Sequence, residues 1–211
     1  MSWKLAELEQ QLLIGSTLIE GSTLSEAEAK DLLSGRTVSG HLIEDARDLL
    51  NYRAAVEWFI GQLERSPFLS VDLIQTFHRR LFQGRHGEFG SWKTHVNFTF
   101  LSDGTKHAYL DPHQVDPAMN TWVQKFNHGS AVSPETGATE HYFSFEQIHP
   151  FDDGNGRIGR VLIAYWLHWK WGNGFKLFVS DKIAHLEALE KAQRGDMSDL
   201  VAFFLKRLID G

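Results

Sequence analysis

The chain has 211 residues, a formal net charge of −6 and no cysteine, which argues against nucleic acid as the main partner and excludes a disulfide framework or thiolate chemistry. Hydrophobic residues make up 42% and there are seven tryptophans, enough for one large core or a core with a small appendage. No apolar run is long enough to span a bilayer, and the acidic residues near the start do not fit a signal peptide, so a cytoplasmic setting without a membrane is expected.

The pattern is mainly helical. Apolar spacing predicts helices over about 3–20, 26–33, 39–65, 70–83, 113–127, 138–148, 156–171, 181–193 and 197–209. Leu5, Leu8, Leu12 and Leu13 set the period of the first, and Gly21 is its natural stop. Inside that helix Ser16 and Glu20 lie four apart and share a face. Ser25 and Glu28 form a capping box for the second. Ser70 caps the fourth, whose Val71, Ile74, Phe77, Leu81 and Phe82 form a core stripe. Between 93 and 111 the period changes to two. Val96, Phe98 and Phe100 alternate with Asn97 and Thr99, Ser102 to Thr105 is a turn signal, and His107–Leu110 returns, giving a β-hairpin. The polar stretch Asn127–Gly137 reads as a loop, and His141 beyond it as a packing residue.

The most informative stretch is His149-Pro150-Phe151-Asp152-Asp153-Gly154-Asn155-Gly156-Arg157-Ile158-Gly159-Arg160. Pro150 disfavours helical geometry at His149, so a helix should stop there. Phe151 is an apolar anchor for the loop. Gly154 and Gly156 let successive N–H groups face one concavity, an anion nest. The helix that follows adds its free N–H groups and positive end. Arg157 and Arg160 share one face and offer two guanidinium forks to a phosphate. Asp153, at the mouth, could hold Mg²⁺ between phosphate oxygens. His149, on the opposite lip, could accept a proton from a hydroxyl. Asp152 has no assigned role.

These residues resemble the signature of the Fic family, H-[PX]-F-x-[DE]-G-N-G-R-x-x-R, at every fixed position. The resemblance implies a Fic-type helical bundle with one β-hairpin flap. It also implies a protein AMP transferase that moves AMP from ATP, with Mg²⁺, onto a Ser, Thr or Tyr hydroxyl of a target protein. His149 looks like the general base and Asp153 like the Mg²⁺ ligand. Gly154, Asn155 and Gly156 look like the α/β-phosphate cradle, with Arg157 on the β-phosphate side and Arg160 at the γ-phosphate. The 93–111 hairpin would present the target's hydroxyl-bearing segment by strand addition.

Two further stretches resemble family features. Ser16-Thr17-Leu18-Ile19-Glu20-Gly21 is similar to the inhibitory pattern [S/T]-x-x-x-E-[G/N], which implies a regulatory pair between Glu20 and Arg160. On that reading residues 1–36 form an inhibitory helix region and 37–211 the catalytic core. Ala192 to Asp196 resembles a segment in which relatives place a nucleotide-contacting Asn where Gln193 stands here; a solvated helix face explains Gln193 and His185 equally well. Two alternatives stay open: removal of AMP from a modified protein with Glu20 as a catalytic residue, and a nucleotide-binding interaction module without catalysis. Whether Glu20 acts within its own chain or across a homodimer is also open.

Overall fold

The computed structural model describes residues 5–40, 43–129 and 131–209, with the backbone alone for 5–11 and 179. Nine α-helices run through the described residues: α1 Leu5–Ile19, α2 Glu26–Leu33, α3 Ile43–Arg65, α4 Val71–Leu81, α5 Pro112–His128, α6 Pro134–Ile148, α7 Asn155–Trp171, α8 Lys182–Gln193 and α9 Ser198–Arg207. Strands β1 (Phe98–Phe100) and β2 (Lys106–Ala108) form the hairpin, and β3 (Gly174–Phe175) pairs antiparallel with β4 (Leu208–Ile209). None of the described helices is long and apolar enough to cross a membrane.

The core is organised on α7. From Ile158 to Leu167 every residue of that helix is buried, and apart from Arg160 the stretch is non-ionic, so it is surrounded on all faces. Helix α6 packs along it, α9 packs on α6, and α1 closes another side with α3. Leu12, Leu13, Ile14, Leu18 and Ile19 of α1 belong to the same core as α7. Gly15 makes this approach feasible, because a Cβ there would overlap the Leu177 carbonyl. Helix α1 ends where Gly21 takes φ 98° and its N–H bonds back to Leu18. The Ser25–Glu28 capping box forms as expected, with Ser25 N–H 2.9 Å from Glu28 Oε2.

Several boundaries differ from the sequence expectation. Helix α3 begins at Ile43 and not at 39, because Gly40 sits at φ 85°, in the left-handed region, and turns the chain there; 41 and 42 lie outside the described residues, as do 3 and 4 of the first predicted helix. Helix α6 begins at Pro134, so the end of the expected loop is helical. Ser133 caps it by accepting the Thr136 N–H, and Pro134 occupies the first turn, where a missing N–H costs nothing. Gly137, read as a loop residue, is inside the helix, and a glycine is needed there because a Cβ would overlap the Trp166 ring. The β3–β4 pair was not expected. Two residues per strand carry no alternation, and the pairing cuts the last helix at Arg207. The hairpin's return strand is Lys106–Ala108, set opposite Phe98–Phe100 in register.

Candidate active site

Helix α6 stops at Ile148, and His149 takes φ 47° and ψ 62°, the only positive φ at a non-glycine among the described residues. Such a conformation costs about 1–3 kcal/mol and persists only where the surroundings enforce it. Here the irregular segment leading into the hairpin enforces it. Lys93 N–H donates to Pro150 O at 2.9 Å, Lys93 Nζ to Ile148 O at 3.2 Å and Asn97 Nδ2 to Phe151 O at 2.9 Å. Lys93 is buried, and desolvation pulls its ammonium down to about 8, with Asp152 and Asp111 opposing.

Phe151 is fully buried and stacks on His78 with centroids 3.9 Å apart. The tautomer of His78 follows from its partners. Gly90 N–H donates to Nδ1 at 2.8 Å, so Nε2 carries the proton and donates to Asp153 O at 3.1 Å. Burial holds this imidazole down to about 4, so it is neutral at pH 7 and can accept that N–H. Asn155 closes the loop. Its Oδ1 accepts the Phe151 N–H at 2.9 Å and its Nδ2 donates to Phe151 O at 2.8 Å. Its side chain is thereby turned into the loop, and only its backbone N–H can serve the cradle. Asn155→Ala would leave a buried N–H without a partner, at about 2–4 kcal/mol. A fall of about 5–15 °C in Tm is expected in a circular-dichroism melt; a shift within error would mean another group holds the loop.

Gly154 sits at φ 82° as the N-cap of α7, and a Cβ there would come within 2.8 Å of the Phe82 ring. The first backbone bond of the helix is Ile158 N–H to Gly154 O at 3.0 Å. The N–H groups of Asn155, Gly156 and Arg157 therefore precede the intrahelical ladder, and they form the positive end of a long helix. Over them lies the carboxylate of Glu20. A Cβ on Gly156 would fall 2.5 Å from Glu20 Oε1 and 2.8 Å from Arg160 Nη1.

Glu20 is paired with Arg160 Nη2. Arg160 is 3% exposed, and its Nε donates to Ser16 Oγ at 2.7 Å. Tyr52 donates its hydroxyl to Arg157 O at 2.9 Å and lies 3.3 Å from Ser16 Oγ. Burial works to raise the Glu20 pKa, but the charge and hydrogen bond of Arg160, with Arg157 and His185 behind them, leave it lowered. Burial likewise opposes the charge on Arg160, and Glu20 outweighs it, so that guanidinium is raised.

Arg157 donates from Nη2 to Asp153 Oδ1 at 3.1 Å and lies 5.0 Å over the Phe82 ring. Its Nε is buried without a partner among the described residues. The Asp153 side chain is 57% exposed; Oδ1 also accepts the Gly154 N–H at 2.6 Å. A half-exposed carboxylate at the mouth of an anion nest suits Mg²⁺, which needs one or two carboxylates and takes the rest of its shell from phosphate and water. A polar cleft of about 220 Å³ runs beside these groups, lined among others by Glu20, Asp48, Arg85, Asp153 and Arg157.

His149 stacks on Tyr109 with centroids 3.9 Å apart, and its Nδ1 is 3.4 Å from Glu146 Oε2. Burial and the nearby Glu146 charge raise the Tyr109 phenol to about 12, while its hydrogen bond with Gln193 opposes them. Gln193 is thus bonded to the ring that backs the imidazole. His185 is buried against Tyr142 and Phe203, not solvated, and burial, with Arg160 nearby, pulls it down to about 3. His141 packs among Trp122, Phe126 and Trp166, as expected of a core residue. Asp152 pairs with His95 at 3.4 Å on the surface.

Sequence reasoning missed His78, Lys93, Tyr109 and Glu146. Only His78 left a signal: it stands four residues from both Ile74 and Phe82, inside the apolar stripe of α4.

The fold and the site define a helical bundle whose central helix opens on a Gly-Asn-Gly turn, with the Glu20 carboxylate beside Gly156 and Arg160 in its first two turns. Residues 68–167 match the Fic/DOC family. It is similar to the protein adenylyltransferase Fic of Nematostella vectensis, 26% identical over 92% of this chain and 45% of that protein. The corresponding Aedes aegypti protein is 29% identical over 77% of this chain and 33% of that protein. This chain therefore spans between a third and a half of those relatives. A Fic-domain-containing signalling protein from Bacteroides thetaiotaomicron shares the fold, with a TM-score of 0.83 at 23% identity over 95% of this chain and 82% of that one.

Proposed function

We propose that this chain is a protein adenylyltransferase that moves AMP from ATP to a Ser, Thr or Tyr hydroxyl of a target protein, and that Glu20 restrains it. What supports this reading is the run from His149 to Arg160 that leads into α7, together with the pairing of Glu20 with Arg160 beside Gly156. Residues 1–36 then form the regulatory element and residues 37–211 the catalytic core, in a cytoplasmic, ATP-rich setting.

The chain's own groups divide the work. The N–H groups of Asn155, Gly156 and Arg157 hold α- and β-phosphate oxygens, and the guanidinium of Arg157 meets the β-phosphate side. Arg160, released from Glu20, takes the γ-phosphate and fixes the direction of the chain. These donors are positioned before the reaction, so they stabilise charge on the leaving pyrophosphate without reorganising. His149 Nε2 takes the proton from the target hydroxyl as its oxygen attacks the α-phosphorus. Mg²⁺ at Asp153 would neutralise charge on the phosphate oxygens. The exposed edge of β1 and β2 offers backbone groups to an extended target segment, with Phe98 and Phe100 on its open face.

A labelling assay with Mg²⁺ and each of the four nucleoside triphosphates tests the reading. Label from α-labelled ATP is expected on protein, and none from γ-labelled ATP. Label from the γ-position would make the chain a kinase. Release of free AMP from a modified target, without forward transfer, would favour the reverse reaction. No label with any nucleotide, even after Glu20 is replaced, would leave only a binding module.

A further inference from the structure

Glu146 stands one helical turn before His149 on α6. It is a carboxylate at 4% exposure, facing α7 at the point where Gly159 has no side chain; a Cβ there would come within 3.2 Å of its Oε1. It caps no helix and ties down no loop. Oε1 has no hydrogen-bond partner among the described residues, and its one ionic contact among them is His149 Nδ1, at 3.4 Å from Oε2. Nδ1 in turn has no hydrogen-bond partner among the described residues. A buried carboxylate with no partner is costly to keep. Here a buried acid and a ring nitrogen, each lacking a bond, face one another beside the reactive imidazole. The other groups around the ring do not compete: Tyr109 covers one face, and Lys93 is engaged with Asn97 and the Ile148 carbonyl.

We propose that Glu146 is a positioning residue for His149, an assignment that rests on reading His149 as the general base. It accepts the Nδ1–H, so the imidazole keeps its proton on Nδ1 and presents the bare Nε2 to the incoming hydroxyl. When Nε2 takes that proton, the carboxylate faces a full imidazolium and stabilises it. A separation of 3.4 Å is long for a hydrogen bond, and contacts of this kind commonly shorten when substrate closes the site. The left-handed turn at His149 serves the same end, because it swings the ring back over the last turn of α6, where Glu146 lies.

The test uses the whole chain with ¹⁵N-labelled histidine, in parent, Glu146→Leu and Glu146→Gln forms, all carried in the Glu20→Gly background so that turnover is measurable. The His149 signals are identified by their loss in His149→Ala. The parent is expected to show Nδ1–H. Glu146→Leu, similar in shape, is expected to move the population to Nε2–H, with kcat down about 10–100-fold and KM for ATP unchanged. Glu146→Gln can still accept the Nδ1–H through its carbonyl, so it is expected to keep the tautomer and recover part of the rate. It also decides the matter if the leucine form does not fold: a kcat equal to the parent's would overturn the assignment. An unchanged tautomer in Glu146→Leu, or a changed tautomer with unchanged kcat, would overturn it as well. If the parent itself transfers nothing, the adenylyltransferase reading fails separately, and the spectra still show whether Glu146 sets the proton.

Discussion

Replacing Glu20 with glycine is expected to raise AMP transfer by about 10–100-fold while lowering the melting temperature. The two effects have one cause. The Glu20 carboxylate is held by Arg160 above the first turn of α7, where the tail of a bound triphosphate would otherwise find its donors. A charge-assisted bond of this kind is worth about 1.5–3 kcal/mol net, and ATP must displace it to align. Removing the carboxylate removes that competition, which gives the factor above at about 1.4 kcal/mol per tenfold. The same change leaves a buried guanidinium without its counter-charge, with Ser16 among its remaining partners. A faster but less stable chain is therefore the signature, read from initial rates with α-labelled ATP and from thermal unfolding. The depressed Glu20 pKa also sets the pH range of the pair. Its contribution is fully present above the ordinary carboxylate value and is lost only as pH falls through the lowered one, so the restraint holds throughout the neutral range. A glycine variant no faster than the parent would show that Glu20 is no brake.

His149→Ala, in the Glu20→Gly background, is expected to lower transfer by about 10²–10⁴-fold with nucleotide affinity unchanged. On the proposed reading the phosphates are held by the α7 N–H groups and the two arginines, and the imidazole is not among those donors. Alanine keeps a Cβ at the left-handed position, so the strain at residue 149 is the same in both chains and the comparison isolates the ring. Calorimetric titration with ATP separates a lost proton acceptor from a damaged pocket. Transfer at the parental rate would remove His149 as the base, and a matching loss of affinity would make it a binding group.

Signals carried by near neighbours in the chain were legible without coordinates. The Ser25–Glu28 box, the stripe of α4, the stop at Gly21, the period-two run at 98–100 and the Gly-Asn-Gly turn opening α7 all depend on spacings of one to four residues. The same holds for the end of α6 at Ile148, just before His149 and Pro150, since proline acts on the residue preceding it. Helix starts were less legible. Gly137 reads as a loop residue until the Trp166 ring that requires its missing Cβ is in place.

What the sequence by itself determined, then, is which helices form and where the candidate polar side chains stand along them. Tertiary packing alone decided how those side chains are oriented. Ser16 and Arg160 are 144 positions apart, and the bond between them exists because Gly15 lets α1 lie against the Leu177 backbone. The left-handed turn at His149 is held by Lys93 and Asn97, and the loop beyond it by His78, more than 50 positions away in each case. Glu146 reads as an ordinary helical acid until its burial and its distance to Nδ1 are known. Local propensity follows from neighbours along the chain; the direction of a buried polar group follows from which distant partner can satisfy it, and only the packed core supplies that partner.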